Sequence, residues 1–304
     1  MSTGKALKKI RLKIGISQDE LAEKLNTTTK EISHIESGDA DMDGWQFVSA
    51  LELLGQPTDS FWFLDLDYEE FEIAQKYDRL KILLSYEKFD EARDILLELE
   101  KSKLSKRPFI KQFIAHVKII INKDIPHEKA MDELFAAIRM SIPDFDENKI
   151  AEYDMNYNEL YISTSIANIL DKIGERDRSI ALAEKLIENK ENFCFRISEK
   201  DEAALLTLLM KNLSTSLRKK GKIQESLKIS DEALRISRES QHYKYIPLLL
   251  HNVAHCQKAL GEDEEIYKQN LTTAYYCSRS MDDDEDTTMI KNDAEKNFGI
   301  IFKH

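Results

Sequence analysis

The chain lacks any long apolar run. None of its 304 residues lies in a stretch that approaches the ~18 consecutive apolar residues needed by a membrane-spanning helix. Cysteine is rare, since only Cys194, Cys256 and Cys277 are present, far apart and without a C-x-x-C pair. We expect them to be reduced, buried thiols. Both scarcities favour a cytoplasmic protein with no membrane partner.

Glycine and proline are also scarce, at 9 and 5 residues. Beyond residue 57 no run alternates apolar and polar residues as a strand does, and helical spacing prevails. The motifs G-x-G-x-x-G, G-x-x-x-x-G-K-[ST], G-x-S-x-G and H-E-x-x-H are missing as well, which removes the usual signatures of nucleotide-binding and hydrolytic sites. We therefore expect an all-α chain that is not an enzyme and needs no cofactor.

Charge is unevenly distributed along the chain. The net charge of −12 argues against indiscriminate binding to nucleic acid, which needs clustered cations. Residues 1–38, however, carry seven lysines and arginines against five acids. Only this N-terminal segment is electrostatically suited to DNA.

Within that segment, Ser17–Gly38 (SQDELAEKLNTTTKEISHIESG) has the pattern of two short helices joined by a tight turn. Each helix begins with an S/T-x-x-E capping box, at Ser17–Glu20 and at Thr28–Glu31. Gly38 stands where a left-handed residue would end the second helix. This arrangement predicts a helix-turn-helix, whose second helix enters the major groove of DNA.

Lys8–Leu54 resembles the DNA-binding domain of phage repressors of the Cro/C1 type. The matching positions are Arg11, Gly15–Ile16–Ser17–Gln18, Leu21–Ala22, Leu25, Ile32–Ser33, Ile35–Glu36, Gly38, Ala50 and Leu54–Gly55. The resemblance implies a structural ion pair between Arg11 and Glu36. It also implies that operator DNA is contacted by polar residues of the two helices: Gln18, Thr28, Thr29, Lys30, Ser33 and His34.

Two nearby stretches leave alternatives open. The loop Asp39–Asp43 carries three carboxylates where the repressors often have basic or neutral residues. Either this loop faces away from DNA, or the affinity is modest and dimerisation compensates for it. Phe61–Tyr68 (FWFLDLDY) is unusually aromatic, so it forms either a joint between two domains or a dimer contact.

The remainder of the chain has a repeated helical pattern. Gly174, Gly221 and Gly261 stand between pairs of amphipathic helices, as in tetratricopeptide-type hairpins with glycine in the turn. Two earlier hairpins lack the glycine and are expected to pair Tyr68–Ser85 with Phe89–Lys101, and Pro108–Asn122 with His127–Met140. After an acidic loop at Asp282–Asp286, a last helix near Thr287–Phe302 is expected to cover the final apolar face.

The predicted fold is therefore all-α. It consists of a Cro/C1-type helix-turn-helix domain followed by a right-handed solenoid of about five degenerate hairpins and a capping helix. We expect the DNA-binding domain to span residues 1–58 and a linker to span 59–67. The repeat domain, responsible for peptide binding and dimerisation, is expected at 68–304.

In tetratricopeptide repeats, the position nine residues before the turn glycine faces the concave groove, and here it holds Ser165, Asn212 and Asn252. An asparagine amide both donates to and accepts from a peptide backbone, although asparagine at this position also supports the neighbouring helix. Lys211 and Arg218 would suit a carboxylate. The candidate peptide-binding residues are Tyr161, Asn168, Lys211, Asn212, Thr215, Arg218, His251, Asn252 and His255.

His251 and His255 also suggest a metal site, because two histidines four residues apart share one helix face. No neighbouring cysteine or carboxylate in the sequence obviously completes the ligand set. We therefore expect no metal at this position and assign both histidines to the groove.

The whole arrangement resembles the peptide-pheromone-sensing regulators of Gram-positive bacteria, of the PlcR, PrgX and Rgg type. That resemblance implies a cytoplasmic homodimer on double-stranded operator DNA, gated by a short signalling peptide in the repeat groove. The alternative is a phage or mobile-element regulator whose repeat domain binds a partner protein. Neither the peptide sequence nor the direction of the response follows from the resemblance.

Overall fold

The computed structural model describes residues 3–42, 44–54, 68–85, 88–122, 124–189, 199–281 and 283–302. Every regular element in these ranges is helical. The chain divides into two compact units, residues 1–121 and residues 122–304. No helix in the described ranges is both long enough and apolar enough to cross a membrane.

The described part of the first unit contains seven α-helices and a 3-10 turn at Lys103–Lys106. The helices are α1 (Thr3–Ile14), α2 (Gln18–Lys24), α3 (Thr29–Ser37), α4 (Gly44–Leu53), α5 (Tyr68–Ser85), α6 (Phe89–Lys101) and α7 (Pro108–Ile121). Leu7, Leu21 and Ile32 are fully buried and belong to the same apolar core as Leu80 and Leu99. The helix-turn-helix and the first helical hairpin are therefore packed as one body.

A glycine allows α1 to approach α3 closely. A Cβ atom added to Gly4 would lie 1.7 Å from the carbonyl oxygen of Ile35, well inside van der Waals contact. Any larger residue at this position would force the start of α1 away from α3. The sequence pattern did not reveal this requirement, because nothing local to Gly4 marks it.

The second unit is a succession of helical hairpins. Its helices are α8 (His127–Ile138), α9 (Tyr157–Lys172), α10 (Arg176–Glu188), α11 (Glu199–Lys219), α12 (Ile223–Glu239), α13 (Ile246–Leu260), α14 (Glu264–Ser280) and α15 (Asp284–Asp293). A 3-10 segment at Glu147–Glu152 precedes α9, and one π-helical turn, Ala294–Phe298, follows α15. The first helices of successive hairpins pack side by side, α9 on α11, α11 on α13, and α13 on α15.

The three glycine turns have the same geometry. Gly174, Gly221 and Gly261 have φ values of 91°, 84° and 74°, a left-handed region that favours glycine. In each turn the next residue donates its backbone N–H to a carbonyl in the last turn of the preceding helix, at 2.8, 3.0 and 3.0 Å respectively. These are the bonds of a Schellman motif, and they confirm the predicted turns.

The predicted hairpins are confirmed where both helices lie in the same unit. Helix α5 packs on α6, α9 on α10, α11 on α12 and α13 on α14. Helices α7 and α8 have nearly the predicted bounds but fall in different units, so their pairing stays a prediction. The predicted domain limits also stay a prediction, and the linker 59–67 lies outside the described residues.

The C-terminal end differs from the expected acidic loop and later helix. Helix α15 already begins at Asp284, and the Asp283 carboxylate caps it by accepting from the backbone N–H of Asp286. Acidic side chains at Asp284–Asp286 stabilise a helix N-terminus because they complement the positive end of its dipole. The acidic run is therefore a helix start rather than a loop.

The cysteine expectation is met only in part. Cys256 is a buried free thiol, as expected, whereas Cys277 is half-buried. Burial is the main reason that the pKa of the Cys256 thiol is raised above its ordinary value. Cys194 lies outside the described residues.

Candidate DNA-binding and peptide-binding sites

The helix-turn-helix is centred on a buried ion pair. Arg11 Nε and Nη2 donate to the two carboxylate oxygens of Glu36 at 2.6 and 2.9 Å, and Arg11 Nη1 donates to the Ile16 carbonyl at 2.7 Å. The two charged side chains are only 7% and 1% exposed. This bidentate geometry confirms the predicted structural pair and ties α1 to the end of α3.

The pair also sets the ionisation of its members. The hydrogen bond to Glu36 raises the pKa of Arg11 above its ordinary value. Burial alone would raise the pKa of Glu36, but hydrogen bonds from Arg11 and Gln18 outweigh burial and lower it. Both groups therefore stay charged at neutral pH.

Helix α3 presents three of the predicted DNA-binding residues to solvent. Ile32, Ile35 and Glu36 face the core, while Lys30, Ser33 and His34 are exposed on the opposite side. Within the described residues, these three side chains form no hydrogen bond or ion pair. A helix with a free polar face of this kind has the form that enters a major groove.

The other three predicted DNA-binding residues have structural partners. Gln18 Nε2 donates to Glu36 Oε2 at 2.7 Å, and Thr29 Oγ1 donates to Asp19 Oδ1 at 2.5 Å. Thr28 caps α3 by accepting the backbone N–H of Glu31 at 3.2 Å. Their contact with DNA stays a prediction, and each also holds the motif together.

One of the two expected capping boxes is incomplete. Ser17 and Glu20 form both reciprocal bonds at the start of α2. At α3, however, the Glu31 carboxylate accepts from the hydroxyl of Thr27 instead of returning to the backbone of Thr28. The neighbouring threonine competes for the carboxylate, which the S/T-x-x-E pattern alone does not show.

The loop after α3 separates its acidic and apolar side chains. Asp39 and Asp41 are exposed, whereas Ala40 and Met42 pack against the core of the first unit. The Asp39 carboxylate accepts from the Ser37 hydroxyl at 2.6 Å. Asp43 and most of the aromatic stretch Phe61–Tyr68 lie outside the described residues, so the alternatives for both remain open.

The candidate groove is the set of predicted peptide-binding residues on α9, α11 and α13. Its most buried member is Asn252, which is 2% exposed. The Asn252 amide nitrogen donates to Ser226 Oγ at 2.9 Å and to Ser230 Oγ at 3.0 Å, and its oxygen accepts from Arg218 Nε at 2.6 Å. In this arrangement both ends of the amide are occupied within the protein.

Arg218 has no carboxylate partner in the described residues. Its only hydrogen bond there runs from Nε to the neutral Asn252 amide. Burial lowers the pKa of Arg218 below its ordinary value, and the nearby Cys256 and Asp293 only partly offset this effect. A half-buried guanidinium held by a neutral acceptor is a candidate anion-binding group.

Among the remaining groove residues, His251 is buried and the others are half-buried. Thr215 donates to the Lys211 carbonyl at 2.9 Å, and Lys211 Nζ lies 5.7 Å from the centroid of the Tyr245 ring. The Tyr161 ring lies 4.9 Å from that of Tyr157. Asn168 and Asn212 form no side-chain hydrogen bond in the described part of the chain, so their amides are available to a ligand.

His251 and His255 converge on a carboxylate that the sequence did not suggest. Their Nε2 atoms lie 2.8 and 2.7 Å from Asp293 Oδ2, and Asn297 donates to Asp293 Oδ1 at 2.7 Å. Burial, with the charges of His251 and Arg218, lowers the pKa of His255 to about 4. Burial alone would raise the pKa of Asp293, but the histidine hydrogen bonds lower it.

Sequence reasoning missed Asp293, Ser226 and Ser230. Asp293 is 38 positions beyond His255 and reaches it only because α15 packs on α13. The two serines come from α12, which the groove pattern assigns to the outer layer of the hairpin. Ser226 had one usable signal: it stands five residues after its turn glycine, as Ser179 does, and both donate to a carbonyl of the preceding helix at 2.7 Å.

Known proteins match the N-terminal segment by sequence and nearly the whole chain by fold. Residues 4–69 match the family described as a helix-turn-helix domain. A search of curated proteins finds no match. Solved structures, in contrast, match nearly the whole chain.

Bacillus thuringiensis PlcR, in complex with the peptide PapR7 and DNA, superposes with a TM-score of 0.73 at 21% identity, covering 96% of this chain and 99% of PlcR. ComR from S. thermophilus, with DNA and its signalling peptide ComS, gives a TM-score of 0.59 at 16% identity over 96% and 98% of the chains. The Streptococcus dysgalactiae SHP pheromone receptor Rgg2 gives 0.57 at 15% identity over 98% and 100%.

The chain has the fold of PlcR, ComR and Rgg2. The predicted fold class is therefore confirmed: an N-terminal helix-turn-helix followed by a helical-repeat body. ComR from Streptococcus vestibularis is described as a competence regulator and Rgg2 as a pheromone receptor. Identities below 25% carry the likeness no further than the fold.

Proposed function

We propose that this protein is a transcription regulator that binds operator DNA as a homodimer through α3, and that a short signalling peptide bound in the candidate groove controls this binding. The single observation that carries the proposal is the pairing of two candidate sites in one chain. An exposed polar face lies on α3 in the first unit, and a half-buried arginine without a carboxylate partner among the described residues lies in the second.

The DNA half rests on the exposed Lys30, Ser33 and His34. Lysine and histidine donate to the acceptors of guanine in the major groove, and serine pairs with any base. We expect Gln18, the first residue of α2, to contact phosphate in addition to its bond to Glu36, because backbone N–H groups at a helix N-terminus favour anions. Dimerisation supplies the second half-site, about one helical turn of DNA away.

The peptide half rests on Arg218 and Asn212. Arg218 has unused N–H donors suited to a carboxylate, either a peptide C-terminus or an acidic side chain. The Asn212 amide is free to pair with a peptide backbone. Asn252 contributes only if Arg218 releases it, so we expect the two side chains to separate when peptide binds.

Control of DNA binding by peptide requires a difference in affinity. A ligand shifts an equilibrium only by its preference for one state over the other, typically ~1–3 kcal/mol between coupled sites. In a dimer, that preference would act on the spacing of the two recognition helices.

The first experiment is fluorescence anisotropy with DNA from upstream of the gene, at fixed salt. It is run with and without peptides encoded by small neighbouring reading frames. Peptide should change the apparent Kd for DNA by roughly 5- to 150-fold. Tight DNA binding that ignores every such peptide would instead favour a regulator whose repeat body holds a partner protein.

Two substitutions separate the sites. Lys30→Ala should weaken DNA binding and leave peptide binding intact, whereas Asn212→Ala should weaken peptide binding and leave peptide-free DNA binding intact. Lys101→Ala, an exposed lysine at the end of α6, controls for the loss of one positive charge. Equal damage to both activities by both substitutions would refute the two-site assignment.

A further inference from the structure

His251, His255 and Asp293 form a compact three-residue cluster at the end of the repeat body. One ligand atom from each residue lies within 4.8 Å of the other two. The residues come from two elements, since α13 supplies both histidines and α15 ends on the aspartate. Their side chains are 11%, 17% and 22% exposed, so the cluster is sheltered but accessible.

We propose that this cluster binds one divalent transition-metal ion, represented by Zn²⁺, through His251 Nε2, His255 Nε2 and Asp293 Oδ2. Two imidazoles and one carboxylate form a recurrent ligand set for such ions, with water completing the coordination. Two nitrogen ligands disfavour Mg²⁺ and Ca²⁺, which prefer oxygen.

The backbone already holds the ligands close to the required arrangement. Histidines at i and i+4 project from the same face of α13, and their rings lie edge-on with centroids 4.7 Å apart. The Nε2–Oδ2 distances of 2.8 and 2.7 Å are those of hydrogen bonds. Tetrahedral coordination at ~2.0–2.1 Å places ligand atoms about 3.3 Å apart, so each distance must lengthen by roughly half an ångström.

In the proposed binding step, the number of protons on the three ligands does not change. In the metal-free arrangement each neutral imidazole donates its Nε2–H to the carboxylate. On metal binding the proton moves to Nδ1 of the same ring, through solvent, and the Nε2 lone pair coordinates the ion. Asp293 is ionised in both states.

A second layer of contacts orients the ligands. Asn297 donates to the other Asp293 oxygen at 2.7 Å, and the Phe298 ring packs edge-on against His255 at a centroid distance of 4.8 Å. Partners of this kind fix the orientation of metal ligands and raise affinity. Because Asn297 and Phe298 belong to the turn that follows α15, a bound metal would also hold this turn and α15 against α13.

Arg218 is the main opposing charge. It lies close enough to Asp293 to interact electrostatically, although its hydrogen bond goes to Asn252. Its positive charge should weaken metal binding without abolishing it. Removing this charge and removing a ligand therefore have opposite expected effects.

The test uses the full chain without an affinity tag, dialysed free of metal, and titrated with Zn²⁺ by calorimetry. We expect one ion per chain and a rise in Tm. His255→Ala and Asp293→Asn should each weaken binding by roughly tenfold or more, and Asn297→Ala by about 10- to 100-fold. His127→Ala, an exposed histidine on α8, should bind as the unsubstituted chain does, and Arg218→Gln should bind a few-fold more tightly.

Co²⁺ provides a measurement that does not depend on the variants folding. Bound to the unsubstituted chain by two nitrogens, one carboxylate and water, it should give visible absorption bands that Zn²⁺ displaces with a stoichiometry of one. Absence of Zn²⁺ binding by the unsubstituted chain at about 100 μM would overturn the proposal. So would binding that His255→Ala and Asp293→Asn, shown to be folded by circular dichroism, leave unchanged. In either case the cluster is a hydrogen-bonded clamp only.

Discussion

Two arginines, one in each unit, occupy contrasting environments. Arg11 is paired with both oxygens of Glu36, and this pairing raises its pKa. Arg218 is held by one neutral amide, and burial lowers its pKa. The first arginine has a carboxylate partner and serves the fold, whereas the second is hydrogen-bonded to no carboxylate among the described residues.

The contrast extends to the residues around each arginine. In the helix-turn-helix, the central charges are neutralised internally, and the residues proposed to contact DNA project outward from α3. In the groove, the polar residues bond to one another, as in the Arg218–Asn252 contact. The side chains proposed to contact DNA therefore need not break internal hydrogen bonds when they bind. In the groove, by contrast, internal hydrogen bonds such as Arg218–Asn252 must be exchanged for bonds to the ligand.

The largest effect should come from breaking the Arg11 pair. Glu36→Ala leaves a buried guanidinium and the Gln18 amide without their acceptor, which should cost about 3–5 kcal/mol in the free energy of unfolding. Urea unfolding followed by circular dichroism measures this, and DNA binding should be lost with it. Glu23→Ala, an exposed acid on α2, removes the same charge and should have little effect. Equal unfolding midpoints for the two variants would contradict the structural role of the pair.

A smaller effect should separate the two asparagines of the groove. Asn252→Ala leaves Arg218 Nε without its acceptor and removes the bonds to Ser226 and Ser230, a loss of about 1–3 kcal/mol in unfolding free energy. Asn212→Ala removes no observed hydrogen bond and should change stability by less than about 0.5 kcal/mol. Thermal unfolding of the two variants compares them directly. A larger loss of unfolding free energy for Asn212→Ala than for Asn252→Ala would contradict this assignment of the two environments.

A substitution with a smaller expected effect on stability than Asn252→Ala gives Arg218 a carboxylate partner, as Arg11 has in Glu36. Asn252→Asp supplies Arg218 with a carboxylate of nearly the same shape, but it also replaces the amide N–H groups that donate to Ser226 and Ser230. Because the gained ion pair and the two lost hydrogen bonds oppose each other, the free energy of unfolding should change by less than about 1 kcal/mol. A peptide carboxylate would then meet a neutralised guanidinium, and peptide affinity should fall by about tenfold, or ~1.4 kcal/mol. Calorimetric titration with the signalling peptide tests this. Unchanged affinity would show that Arg218 does not bind the ligand anion.

The features that sequence predicted well are specified locally. Ser17–Glu20 and the turn glycines act on backbone within one or two helical turns, so their residue types are sufficient signals. The Arg11–Glu36 pair spans 25 positions and was found only because a recurrent domain places those residues together. Resemblance, rather than local pattern, carried that prediction.

The features that sequence did not predict depend on packing between hairpins. Asn212 and Asn252 occupy the same repeat position, yet only Asn252 meets two serines from α12 and an arginine from α11. Asp293 reaches two histidines across 42 and 38 positions. The hydrophobic periodicity of one helix cannot predict such contacts, because they depend on which side chains of the neighbouring helix lie opposite.

The Arg218–Asn252 contact also bears on how the repeat body diversifies. It joins consecutive hairpins, so a recombination event between α12 and α13 would separate two residues that must be inherited together. In the described residues, α10 is linked to the end of α11 by the exposed ion pair of Lys220 with Asp177, a kind of pair that contributes little to stability. Recombination among related genes should therefore be tolerated better before α11 than between α12 and α13. The segment from α11 onward would then be inherited as one unit of ligand recognition.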